Sequence, residues 1–296
     1  MMYKILIEAS GSLSSNFMIK NIHESGNLAC GSDIDDFNAA KKMCDDFIIF
    51  PKFGDKNLWQ KVEKSLLEHK IDIVIPSFDE MLLGWAKRVK YFQEKGIYVI
   101  ISPFETIELF LDKYKTYQFF KKIGIKTPKT KLYNRYEIIK PRFGRGAKDL
   151  LIFDDTISDF ITQEKIDGAE YTVDCLFDNS GEAIYIIPRK RIDVKDGKST
   201  KGISEFRADI NKEIIKISRN IKFYGAVNFQ LFVSNKDIIF IEVNPRIAGG
   251  MALGMKASEN WILLMIDNFI HNKKIKAKNV KYGLKMARYY EEVFYD

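Results

Sequence analysis

The stretch Asn228-Phe-Gln-Leu-Phe-Val-Ser-Asn-Lys-Asp-Ile-Ile-Phe-Ile-Glu-Val-Asn-Pro-Arg-Ile-Ala-Gly-Gly250 decides the fold. It contains two β-type runs, 226–233 and 238–244, around Asn235-Lys236-Asp237. Asn and Asp tolerate the positive φ of hairpin turns, so this tripeptide reads as the connection. Residues two apart along a strand face the same way. Glu242 and Asn244 therefore share a face, as do Asn228 and Gln230, and pairing the strands can bring the two sets together. Gln230, Glu242 and Asn244 are then candidate metal ligands with a low total charge. Mg²⁺ suits such a set, because it keeps waters and shares positions with phosphates; Mn²⁺ is the alternative ion. Pro245 ends the strand, and Arg246 follows as a planar cation suited to phosphate or carboxylate. An exposed polar hairpin tip is the competing reading. It accounts for 235–237 but not for Ile-Glu-Val-Asn, where polar and apolar residues alternate on a half-buried strand.

Length and composition set the bounds. The 296 residues suffice for two or three domains, and 46% hydrophobic with 29% charged residues is ordinary for a globular chain. No apolar run approaches the ~18 residues of a membrane span, and the N-terminal apolar run is too short for a signal peptide. Three scattered cysteines without metal spacing point to a reducing, cytoplasmic setting. The net charge of +7 can attract anions such as nucleotides. The basic residues are dispersed rather than interleaved with aromatics, which speaks against nucleic-acid binding.

The first third alternates. Strand candidates lie at 4–8, 28–30, 47–50, 71–75 and 98–101, with helical stretches at 17–22, 58–67 and 81–94. Alternation with short connections predicts α/β architecture around a parallel sheet. Ser10-Gly11-Ser12 lacks the three-glycine spacing of a dinucleotide loop and reads as a plain turn, with Asp33 and Asp35 as turn residues. At Pro76-Ser77-Phe78-Asp79-Glu80 a strand meets a helix, and Ser77 or Asp79 is a natural N-cap. Ligands also gather at the carboxyl ends of such strands.

Further on, Lys113 opens a helix that stops at Gly124. Lys140 ends a strand before Pro141, either snorkelling or aimed at an anion. Gly144 and Gly146, within Arg142-Phe-Gly-Arg-Gly-Ala-Lys148, let backbone N–H groups turn toward phosphate, while Arg145 and Lys148 add charge. Thr162 to Asp174 reads as a strand end, a turn at Asp167-Gly168 and a new strand.

Taken in order, Asp112-Lys113, the Gly124-Ile-Lys-Thr-Pro128 turn, Lys140-Pro141 with its glycine loop, the 162–174 connection and Ile241-Glu-Val-Asn-Pro-Arg246 resemble the ATP-grasp superfamily. The resemblance is to its carboxylate–amine ligases and to the carbamoyl-phosphate synthetase large subunit. It implies an N-terminal α/β domain over 1–110, an ATP-grasp lid over 111–182 and a C-terminal ATP-grasp subdomain over 183–296. It further implies that Lys113 and Lys140 hold nucleotide phosphates, with Gly144 and Gly146 in the covering loop. Gln163 would lie near the adenine amino group, Glu164, Lys165 and Ile166 along the adenine edge, and Glu170 on the ribose. Gln230, Glu242 and Asn244 would hold Mg²⁺, and Asp79 and Glu80 would lie near the acceptor substrate. The family's helices on either side of Lys140 are replaced here by the short segments 129–136 and 154–160, which implies a shortened lid and raises a homodimer as the assembly.

In the last third, 183–187 reads as a strand and 189–202 as a basic, glycine-punctuated loop. Arg189 and Arg191 can face one way and suit a carboxylate or an acyl phosphate, or else form a solvated hairpin. Helices are expected at 208–221 and 261–270, and the tail at 282–295 reads as a strand or a subunit contact. The resemblance implies an ADP-forming ligase that joins a small-molecule carboxylate to an amine, with Arg246, Lys140 and Arg191 stabilising charge. A carboxylate kinase and a nucleotide-binding module that needs a partner are the alternatives.

Overall fold

Alternation of short apolar strands and amphipathic helices builds the N-terminal third. The computed structural model describes residues 1–12, 15–144, 159–195, 198–235, 237–289 and 291–295. Its first unit runs β1 (Lys4–Ile7), α1 (Ser15–Glu24), β2 (Leu28–Asp33), α2 (Ala39–Met43), β3 (Asp46–Ile49), α3 (Leu58–Glu68), β4 (Ile73–Ile75), α4 (Asp79–Ala86), α5 (Val89–Gln93), β5 (Tyr98–Val99) and α6 (Phe104–Leu111). The strands are all parallel, in the order β3-β2-β1-β4-β5. Ile5, Ile7 and Ile73 join one core with α1, whereas Leu6 and Val74 join another with α3 and α4. Helices thus cover both faces, as a parallel sheet requires.

Two local expectations are corrected here. The single helix expected over 81–94 is split, because Arg88 leaves helical geometry and lays its guanidinium 4.3 Å from the Trp59 ring centre. Neither Ser77 nor Asp79 caps α4, whose N-cap is Phe78 without a side-chain bond. The Ser77 hydroxyl instead donates to the Glu8 carbonyl at 3.0 Å, and Asp79 is taken by Arg246.

Next come α7 (Lys113–Lys122), β6 (Thr130–Lys131), β7 (Ile138–Pro141) and β8 (Phe160–Gln163). The three strands make a small antiparallel sheet, β6-β8-β7. The 129–136 connection contains only the two-residue β6, in keeping with a short lid. Gly146, Arg145, Lys148 and most of 154–160 lie outside the described residues.

The remainder folds as β9 (Ala169–Phe177), β10 (Ala183–Lys195), β11 (Lys198–Ser204), α8 (Ala208–Ser218), β12 (Gly225–Ser234), β13 (Asp237–Asn244), α9 (Ala252–Ala257), α10 (Trp261–Met265) and β14 (Lys285–Ala287). The strands form a six-stranded antiparallel sheet, β13-β12-β9-β10-β11-β14. Strand β9, inside the span expected of the lid, is hydrogen-bonded in this sheet between β12 and β10. The basic segment expected as a loop is strand. Arg189 to Lys195 pairs with 198–204, and main-chain bonding on both edges of β10 holds a sequence that lacks apolar alternation. The tail supplies β14, which pairs with β11.

The two faces of this sheet differ. Val173, Cys175, Val227, Phe229, Leu231, Phe240 and Val243 point into a core closed by α8 and α7. Within it Phe223 packs on Phe110, Phe177 and Phe229 at 5.1–5.4 Å between ring centres. Such aromatic contacts add about 0.5–1.5 kcal/mol each beyond area burial. Next to the N-terminal unit the opposite face is apolar, with Ala226, Leu176 and Tyr185 against α10. Further along, that face becomes polar.

Candidate active site

Strand register assembles the polar face. Gln230 lies opposite Glu242, and Asn228 opposite Asn244. Across β9, Gln230 faces Thr172, which faces Arg189 on β10. Glu242, Gln230, Thr172 and Arg189 therefore form one row, because opposed residues of an antiparallel pair share a face. Asn228 is committed within the fold: its amide donates to Asp174 Oδ1 at 2.9 Å. Glu242 and Gln230 are half-buried, and Asn244 is buried.

Arg246 is held from two sides. Its Nη2 donates to Asn244 Oδ1 at 3.2 Å and to Asp79 Oδ2 at 2.9 Å, while Nε meets Asp79 Oδ1. Arg246 and Asp79 are thus brought together as a buried bidentate pair that joins the N-terminal unit to the end of β13. Glu80, one residue on, is exposed.

Lys113 and Glu242 both lie within electrostatic reach of Lys140. Asp112 caps α7 by accepting from the Tyr114 and Lys115 amides at 2.9 and 3.1 Å, and it also pairs with Arg142 at 2.7 Å. That cap fixes the first helical residue, Lys113, whose buried Nζ donates to the Gly144 carbonyl at 2.7 Å. Lys140 sits on β7 opposite Ile161, and only 9% of its surface is exposed. Burial pushes its ammonium down to about 8; the Glu242 charge opposes that shift and Lys113 adds to it. Among the described residues no acceptor lies within hydrogen-bond distance of Lys140 Nζ.

The 163–170 connection links the small sheet to the large one. Gln163 is buried and donates to Thr130 Oγ1 at 3.0 Å. Glu164 accepts from the Lys129 amide at 2.9 Å, Ile166 is half-buried, and Lys165 is exposed, 3.8 Å from Asp167. Glu170 pairs with Arg191, and Arg189 forms a fully buried pair with Asp174. Sequence reasoning gave no role of their own to Asp112, Asp174 and Thr172. Asp112 caps its helix locally, but its pair with Arg142 and that of Asp174 with Arg189 span separate elements, and Thr172 is marked only by lying opposite Arg189.

The donors fit the groups that the fold implies. Gln230, Glu242 and Asn244 provide one carboxylate and two neutral oxygens, and no cluster of three His, Cys, Asp or Glu side chains exists among the described residues. Such a set suits Mg²⁺ that shares its shell with phosphate and water. Lys140, a buried cation without an acceptor among those residues, suits the phosphate itself.

A family model described as ATP-grasp in the biosynthetic pathway with Ter operon matches residues 156–292. The tyramine–L-glutamate ligase of Methanocaldococcus jannaschii is 27% identical, over 94% of this chain and 93% of that protein. The carbamoyl phosphate synthase large chain of Thermoplasma acidophilum is 26% identical over 67% of this chain, which spans only 23% of that relative. The biotin carboxylase domain of Hydrogenobacter thermophilus 2-oxoglutarate carboxylase, solved as a dimer with MgADP, ADP and bicarbonate, superposes with a TM-score of 0.73. It is 15% identical, over 96% of this chain and 74% of that one. Its likeness extends over nearly the whole chain, which has the ATP-grasp fold; residues 156–292 match an ATP-grasp family model, and the relative similar over nearly its full length is a ligase.

Proposed function

We propose that the chain joins a small-molecule carboxylate to an amine, with ADP and phosphate as products. The carrying observation is that the buried Lys140 ammonium lies within electrostatic reach of Lys113 and of Glu242, three charges supplied by three separate elements. Lys140 and Lys113 hold the ATP phosphates with Gly144; the assignment of Gly146 to the same loop stays a proposal from the sequence. The 163–166 connection, Gln163 to Ile166, lines the adenine, and Glu170 lies where the ribose enters. Gln230, Glu242 and Asn244 hold Mg²⁺, which neutralises phosphate charge when bound. The substrate carboxylate attacks the γ-phosphate, Arg246 and Arg191 stabilise the acyl phosphate, and the amine displaces phosphate from it. Asp79 holds Arg246 in place, and Glu80, the next residue, lies on the acceptor side of the site.

The 27% identity with tyramine–L-glutamate ligase makes L-glutamate and an aromatic amine the first pair to assay. The assay is ADP and phosphate release from MgATP with pooled acids, with and without amines, beside Glu242→Ala. Amine-dependent release that is lost in the variant is expected. Release with acids alone would indicate a carboxylate kinase, and ATP binding without release would indicate a module that needs a partner. No helix of the described residues is long and apolar enough to cross a membrane. The described cysteines are all free, in keeping with the proposed cytoplasmic setting. The short lid supports a homodimer, to be checked by light scattering.

A further inference from the structure

The far end of the polar face contains donors that the ligase reading does not use. Arg189 is 1% exposed, and its Nε and Nη2 are taken by Asp174, yet its Nη1 has no partner among the described residues. Thr172, directly across the β9–β10 pair and 6% exposed, has a hydroxyl that likewise meets no partner among them. Buried polar atoms are rarely left unmet, and each unmet one costs about 1–3 kcal/mol, so two facing orphans mark a place where a ligand belongs.

A second arginine closes the same corner. Arg288 follows β14 and donates to the Gly249 carbonyl. A Cβ added at the neighbouring Gly250 would lie 2.5 Å from Arg189 Nη2 and 2.9 Å from Nη1. Both guanidinium groups thus flank the Gly249–Gly250 backbone, which reaches them only because side chains are absent. Burial and the nearby Arg189 charge lower the Arg288 pKa. A guanidinium pair with a hydroxyl beside it matches the planar, two-oxygen shape of a carboxylate.

We propose that Arg189, Arg288 and Thr172 form a second anion subsite, which takes a non-reacting carboxylate of the acid substrate. This rests on the ligase reading and narrows it: the acid carries an anionic group besides the carboxylate that is activated. The subsite lies at the other end of the row from Glu242, three strands away, so the two ends of one molecule can be read separately. At about 4.8 Å per strand, the backbone positions are roughly 14 Å apart, and the long Arg and Glu side chains shorten that span.

The test measures binding, separately from turnover. With MgADP present, titration calorimetry would follow L-glutamate, glutarate and 4-aminobutanoate, the last of which lacks the second carboxylate. L-Glutamate and glutarate should bind at least about tenfold more tightly than 4-aminobutanoate. Arg288→Gln and Thr172→Val should each erase most of that preference, and a retained MgADP-induced rise in Tm reports that each variant folds. Equal affinity for the three probes, binding of none of them, or variants that keep the preference would overturn the subsite. Absence of ADP release with intact discrimination would instead count against the ligase reading alone.

Discussion

Glu8 and Lys140 are both buried ionisable groups at strand ends, and the fold treats them in opposite ways. Glu8 closes β1; its Oε1 accepts from Trp85 Nε1 at 2.6 Å and its Oε2 from the Ser77 amide at 3.0 Å. Burial still raises its carboxyl to about 7. Lys140 closes β7, is pushed down to about 8, and meets no acceptor among the described residues. One group is completed by its own chain and ties β1 to the start of α4. The other faces a space that needs a phosphate. Burial alone therefore does not identify a functional group; the distinguishing feature is whether the fold supplies its partner.

The contact that joins the two regions should show the largest effect. Asp79 follows the loop that Glu8 anchors, and it grips Arg246 beside the metal strand. Asp79→Asn leaves a buried guanidinium without its counter-charge, which should cost about 3–5 kcal/mol in urea unfolding. A loss below about 1 kcal/mol would show that the N-terminal unit does not hold Arg246.

Lys140→Met should lower ADP release on the order of 10²–10³-fold, as loss of a charge-stabilising donor does. It should not destabilise the chain, because it removes a buried charge. The pH dependence sharpens this. Lys140 is charged below about 8, against 10.5 for a free lysine. ATP affinity should be flat below pH 8 and weaken above it, by up to about tenfold per pH unit. Lys140→Arg, charged throughout, should abolish that fall. Folding runs the other way: the unfolded lysine binds its proton more tightly, so this group makes stability rise between about pH 8 and 10.5.

Glu8 gives the opposite sign. Its carboxyl titrates near 7 when folded and near 4.5 when unfolded, so the folded state holds the proton more tightly in between. The resulting stabilisation is full below 4.5 and is lost as pH rises to 7, about 3 kcal/mol in all. Glu8→Gln, which still accepts from Trp85, should flatten that slope in urea titrations from pH 4 to 8. A slope that survives the substitution would move its origin elsewhere.

Period-two alternation made the hairpin of β12 and β13 legible, with Gln230 and Glu242 in sets that pairing can bring together, because each strand buries one face; the register that opposes the two residues comes from the structure. The parallel N-terminal sheet was legible from apolar runs separated by helices. The strand over 189–195 was not. Its inward residues are the charged Arg189 and Arg191 while Ile192 is exposed, its partner strand is glycine-punctuated, and its order comes from main-chain bonds on both edges, which leave no mark on side-chain periodicity. The partners of the site's charges were equally invisible. Asp174 lies on β9 amid apolar neighbours, and Asp79 sits 167 residues from Arg246, where a helix cap is the nearer explanation. Lys140 was readable as an anion-directed or snorkelling lysine from its strand end beside a glycine loop, whereas Lys113 was readable only through its place in a resemblance, since a helix lysine alone signals solvent.

The smallest expected effect lies at the hairpin tip, away from both regions. Lys126 meets Asp237 at 2.5 Å, yet the side chains are 63% and 51% exposed. Water competes for both charges, and such pairs contribute about 0–1 kcal/mol. What docks this connection on β13 is a main-chain bond, from the Phe240 amide to the Lys126 carbonyl at 2.9 Å, beside a fully buried Phe240 ring. Asp237→Asn leaves both in place, so urea unfolding should shift by less than about 0.5 kcal/mol and ADP release should be unchanged. A larger shift would mean that the tip charge helps to set the β12–β13 register, and with it the opposition of Gln230 and Glu242.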